Sequence, residues 1–119
     1  GTAELARVLD EHLQSPEASL DAWLEAITIR PGSQLAHEQS LELAERLGLV
    51  ARYAGELREL ARVTEKPASM AAELHQRLGR VYETGVHDPQ AAVAAYERAH
   101  ELDPSSHATL EALDRMYEA

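Results

Sequence analysis

Apolar residues recur at spacings of three and four along almost the whole chain, the signature of helices that bury one side. The stripe runs through Leu5, Val8, Leu9 and Leu13, then Leu20, Trp23, Leu24 and Ile27. It returns further on as Leu74, Leu78, Val81 and Tyr82, and as Val93, Tyr96, Ala99 and Leu102. The strict alternation of a half-buried strand is absent. Punctuation cuts the pattern into pieces: Ser15-Pro16, Arg30-Pro31-Gly32-Ser33, Lys66-Pro67, His87-Asp88-Pro89 and Asp103-Pro104-Ser105-Ser106 stop one helix or start the next, and Gly48 and Gly85 offer helix ends. Seven helices are predicted, over about residues 3–14, 17–30, 34–47, 50–64, 68–84, 89–102 and 106–118. Linkers this short force consecutive helices to lie antiparallel. The expected fold is therefore all-α, built of helical hairpins over about 3–31, 34–64 and 68–104, with a last helix at 106–118.

The chain also repeats itself. Glu42-Leu43-Ala44-Glu45-Arg46-Leu47-Gly48 falls onto Gln76-Arg77-Leu78-Gly79-Arg80-Val81-Tyr82, and then onto Glu111-Ala112-Leu113-Asp114-Arg115-Met116-Tyr117. Arg46, Arg80 and Arg115 follow one another at 34 and 35 residues, a period that suits a two-helix solenoid repeat. Residues 75–104 resemble a tetratricopeptide repeat: Leu78-Gly79 and Tyr82 stand at the first helix's Leu-Gly and aromatic positions, Ala92, Tyr96 and Ala99 match those of the second helix, and Pro104 closes the unit. The small residues have a mechanical role, because Gly79, Ala92 and Ala99 let two helix backbones approach while Tyr82 and Tyr96 fill the wider gaps between hairpins. Trp23, Ala26 and Pro31 echo the second helix once more.

The resemblance implies an α-solenoid of about three hairpins plus the seventh helix, stacked as a right-handed superhelix. It implies a non-catalytic scaffold that holds a peptide or protein partner on the concave face made by the first helix of each hairpin. The residues it would place there are Gln39, Glu42 and Arg46, then Glu73, Gln76, Arg80 and Glu83, then Glu111, Arg115 and Glu118. Arg46, Arg80 and Arg115 would form a ladder able to grip carboxylates of an extended acidic segment, since each guanidinium is a two-toothed fork. Against this stands a plain surface reading, in which Glu42 and Glu111, four residues before Arg46 and Arg115, pair with them as exposed ions worth a few tenths of a kcal/mol. The Lys and Asn pattern with which members of the family grip a chaperone tail is absent.

Composition narrows the field further. A chain of 119 residues is one domain's worth and can bury a continuous core. Its net charge of −10 repels phosphate backbones, so nucleic acid is not an expected partner. Ten of the eleven bases are Arg, which together with the high Ala content points to biased codon usage. With no cysteine there is neither a disulfide framework nor a thiolate site, and nothing suggests an oxidising compartment. No apolar run approaches the ~20 residues of a membrane span, so a soluble, cytoplasmic protein without membrane insertion is expected. Gly1 followed directly by a helical pattern reads as a domain cut from a longer protein.

Chemistry is harder to find. His12, His37, His75, His87, His100 and His107 lack the i, i+4 spacing and Glu partner of a helix-borne zinc site, and no phosphate-cradling glycine loop or nucleophile elbow occurs. Neither catalysis, metal nor cofactor is expected. The serines sit mostly at helix starts, where capping explains them. The last helix carries Leu110, Leu113, Met116 and Tyr117 with no following helix to cover them. Leu110, Leu113 and Tyr117 are thus candidates for self-association, as a homodimer or as one slice of a longer solenoid.

Overall fold

The structure, a computed structural model, describes Glu4 and residues 15–118. Apart from Glu4, the helix predicted over 3–14 and its stripe of Leu5, Val8, Leu9 and Leu13 lie outside the described residues. Six α-helices follow: α1 Pro16–Ile29, α2 Gln34–Leu47, α3 Val50–Val63, α4 Ala68–Val81, α5 Pro89–Leu102 and α6 His107–Glu118. A five-residue π-helical turn, Tyr82–Val86, continues α4. No strand occurs among the described residues.

The helix starts follow from their caps. The hydroxyls of Ser15, Ser33 and Ser106 accept from the backbone N–H groups of Ala18, Ala36 and Thr109 at 3.3, 3.2 and 3.4 Å, and Asp88 Oδ1 accepts from Ala91 N–H at 3.1 Å. Each bond satisfies a donor that the first helical turn leaves without a partner. Pro16 and Pro89 occupy first-turn positions, where the missing N–H costs nothing. Gly48, at φ 70°, ends α2 in the left-handed region. Its N–H reaches Glu45 O at 3.3 Å and the Leu49 N–H reaches Ala44 O at 2.7 Å, the paired closure of a Schellman motif.

Gly85, expected as the matching end of the fifth segment, does not take that role. The chain runs through it in the π turn, and the left-handed residue is His87, at φ 61°. The Asp88 N–H then closes the turn on Tyr82 O at 2.8 Å.

The chain divides into two compact units, residues 1–56 and 57–119, with the boundary inside α3. In the first unit, α1 packs on α2 and buries Leu20, Trp23, Leu24 and Ile27 with Ala36, Leu43 and Ala44. Tyr53 and Ala54 of α3 are buried as well. His37, fully enclosed, ties α2 to α3: its Nδ1 lies 2.8 Å from the Tyr53 hydroxyl, and its Nε2 lies 2.7 Å from Pro31 O. A carbonyl only accepts, so Nε2 donates to it, and in the neutral ring Nδ1 accepts from the tyrosine. Asp21 and Arg52 pair across α1 and α3.

In the second unit, α4 packs against α5 and α5 against α6. Leu74, Leu78 and Val81 of α4 are buried, as are Ala92, Ala95, Tyr96 and Ala99 of α5. Gly79 is what allows the close approach: a Cβ there would stand 2.7 Å from the Tyr96 ring, closer than carbon atoms tolerate. Ala92 and Tyr96 form a cluster with Ala112 and Leu113 of α6, rimmed by Tyr82 and Met116. Burying an aromatic or leucine side chain of this kind stabilises by roughly 1.5–3 kcal/mol.

Helix starts recur at unequal intervals. From Pro16 to Val50 and from Gln34 to Ala68 is 34 residues, the expected period, whereas from Val50 to Pro89 and from Ala68 to His107 is 39. The five extra residues match the length of the π turn, which is the one added element between α4 and α5.

Candidate interaction site

Set on these helices, the arginine ladder changes register. Arg46 and Arg80 each stand twelve residues after the first residue of α2 and α4, but Arg115 stands only eight after His107, one helical turn early. By position along its helix Arg115 matches Glu42 and Gln76 instead. The near-equal spacing of 34 and 35 residues between the arginines conceals this shift, because the π turn lengthens the chain between α4 and α5.

Arg115 does not pair with Glu111, four residues before it. Its Nε and Nη2 donate to Glu83 Oε2 and Oε1 at 3.0 and 2.8 Å, a two-toothed bond from α6 to the π turn. The Tyr96 hydroxyl of α5 donates to the same Glu83 Oε1 at 2.9 Å. Three secondary-structure elements thus meet on one carboxylate. Glu83 is mostly enclosed, with 20% of its side chain exposed, while the Arg115 side chain is 57% exposed. Tyr96 is buried.

Electrostatics follow the geometry. The Arg115 hydrogen bond, aided by that of Tyr96 and by the charges of Arg115 and Arg80, holds the Glu83 carboxyl below the usual range against the opposing pull of desolvation. Burial above all, and then the hydrogen bond and charge of Glu83, push the Tyr96 phenol up to about 12. Arg80 is close enough for its charge to act on both groups, yet it is exposed and has no ion pair among the described residues.

The other candidate residues fall differently. Glu73 pairs with Arg77 at 3.3 Å. Gln76 and Gln39 are half-buried, and Glu111 and Glu118 are exposed. Glu42 and Arg46 belong to the first unit, both exposed and with no ion pair between them. Of the three residues proposed for self-association, Leu110 and Tyr117 are 42% and 62% exposed. Leu113 is buried in the cluster with Ala92 and Tyr96, because α5 covers that side of α6. It is therefore core, and the exposed stripe is narrower than the sequence suggests.

Tyr96 is the member of the site that sequence reading takes only for core. Its ring is core, but the hydroxyl matters here, and a chain that has four Tyr and no Phe gives no signal that a particular hydroxyl is used. Among the described residues no group of three or more His, Asp or Glu converges on a metal-sized site, and no helix is long and apolar enough to cross a membrane. No protein-family model matches the chain, and no curated protein matches it.

Proposed function

We propose that this chain is a non-catalytic protein-interaction module of the tetratricopeptide-like kind, receiving a peptide or protein partner on the outward face of the first helices of its hairpins. One observation carries the reading: Arg115 of α6 reaches Glu83 in the π turn that follows α4, two elements that the α5 helix separates in sequence. Within the second unit, one side chain of α6 thus bridges to the turn that follows α4, a polar link consistent with a recognition surface running along successive hairpins. Arg80 stands beside that meeting point with an exposed guanidinium. Selection of a random peptide library on the purified chain tests the reading. Saturable binders that lose affinity at least about tenfold on Arg80→Glu support it, tenfold being the 1.4 kcal/mol worth of one charge-assisted contact. Failure to select any binder, or binders indifferent to Arg80→Glu, overturns it.

The exposure of Leu110 and Tyr117 favours a second reading, in which the chain is a slice of a longer solenoid or associates with itself through α6. Sedimentation decides: concentration-dependent dimers dispersed by Tyr117→Glu support self-association, and a monomer at every concentration removes it.

A further inference from the structure

We propose that the corner formed by Arg115, Tyr96 and Arg80 is a carboxylate-binding site that the chain's own Glu83 keeps filled, and that a carboxylate of the docking partner takes over this place when it binds. The inference rests on the module reading above and names the chemistry of the partner: an acidic segment, met by an anion site already built.

Four observations point to the site. The carboxylate of Glu83 meets both teeth of the Arg115 fork, at 2.8 and 3.0 Å, the arrangement in which guanidinium binds carboxylate best. A third donor, the Tyr96 hydroxyl at 2.9 Å, comes from a side chain only 2% exposed, so it is fixed by the core and aimed outward at the anion. Arg80 adds a second positive charge felt by the same carboxylate without pairing to it. Finally, the anion is delivered by the π turn that continues α4, whereas the groups that hydrogen-bond it come from α5 and α6, so occupant and donors stand on different elements. The hydrogen-bond donors belong to regular helices, Tyr96 to α5 and Arg115 to α6, and the nearby charge of Arg80 belongs to α4.

Self-capping also answers a difficulty set by charge. A chain of net charge −10 is a poor lure for acidic partners at long range, but beyond about 8 Å such charges are screened at physiological salt, and the local donors decide. An internal carboxylate competes at an effective concentration on the order of millimolar or higher, so it keeps the site from binding isolated carboxylates while permitting exchange with a partner that makes further contacts. Removing Glu83 therefore strengthens acidic-ligand binding, whereas a merely structural ion pair predicts no such gain.

The test uses Glu83→Ala, which vacates the site, with acetate as the probe at constant ionic strength and chloride as the control. The expected result is a saturable rise in melting temperature of Glu83→Ala with acetate but not chloride, absent from the wild type and abolished by adding Arg115→Met. A labelled oligoglutamate peptide should bind Glu83→Ala about tenfold tighter than wild type, the worth of one charge-assisted contact. Should Glu83→Ala fail to fold, Glu83→Gln, which keeps the side chain's size but not its charge, carries the peptide measurement. No acetate-specific shift in a folded Glu83→Ala, or no gain in oligoglutamate affinity in whichever variant folds, overturns the proposal. The module reading fails separately, through library-selected peptides that bind wild type and Arg80→Glu alike.

Discussion

A Cβ built on Gly79 lies 2.7 Å from both Cδ1 and Cε1 of Tyr96, so α4 and α5 touch where one has no side chain and the other has a ring. Gly79→Ala must either displace the ring or part the helices. Since the ring is held at its far end by Glu83, it cannot swing away freely. Overpacking of this sort costs about 1–3 kcal/mol. In urea unfolding, Gly79→Ala should fall by that amount against wild type. In a Tyr96→Ala background the same change should become neutral or stabilising, because alanine outranks glycine in a helix by about 1 kcal/mol. A cost that persists without the ring would remove the close-approach account.

The close approach at Gly79 is legible in the sequence, as are the described helices, but the sequence places Tyr96 in the gaps between hairpins, and its ring instead lies on Gly79 within one. Ser15, Ser33 and Asp88 cap where a short polar side chain precedes a helical stripe, and Gly48 ends α2 where a left-handed residue is needed. Local chemistry of this kind depends on neighbours a few residues away, which a sequence displays directly. The π turn leaves no mark in the sequence, because its residues neither break the apolar stripe nor supply a proline, and Gly85 within it has the look of a more familiar helix end. Those five residues also shift the ladder's third rung by one helical turn, because an even spacing of arginines does not require an even spacing of helices. The partner of Arg115 was hidden for a related reason: Glu111 competes for it locally at i, i+4, whereas Glu83 lies 32 residues away and meets it only through packing.

The buried pair of His37 and Tyr53 gives a second prediction. Tyr53→Phe keeps the ring but removes the hydroxyl that donates to Nδ1 at 2.8 Å. Losing one hydrogen bond of this kind costs about 0.5–1.5 kcal/mol. Chemical denaturation should report a loss in that range with little change in the slope of the transition. A variant as stable as wild type would mean that the hydroxyl contributes nothing at this position.

Acid should release the latch on α6. The folded-state carboxyl of Glu83 is depressed, foremost by its hydrogen bond to Arg115, so the stability it contributes is present above the ordinary value of 4.5 and is lost as pH falls through the folded value. Arg115→Met removes the fork and lets Glu83 titrate closer to its ordinary range. Thermal melts between pH 6 and pH 3 should therefore show wild type losing its advantage over Arg115→Met below about pH 4.5, the ordinary Glu range. Because the arginine is largely exposed, added salt should shrink the difference. A constant gap across this window would show that the pair is not what the acid limb titrates.

At the alkaline end the sign reverses. The Tyr96 phenol is pushed up to about 12 by burial first and by Glu83 second, whereas in the unfolded chain it ionises near 10. The folded state thus holds the proton more tightly, and the stability this supplies is complete below pH 10 and drains away as pH rises toward 12. Tyr96→Phe cannot ionise, so its stability should be flatter than wild type above pH 10, even though it is lower at neutral pH for want of the bond to Glu83. Glu83→Gln removes the nearby negative charge but leaves the burial. In that variant the phenolate absorbance of Tyr96, isolated as the difference from the matching Tyr96→Phe double variant, should rise at lower pH than in wild type. If Glu83→Gln left this titration where it was, burial alone would hold the phenol, and Glu83 would have no electrical hold on it.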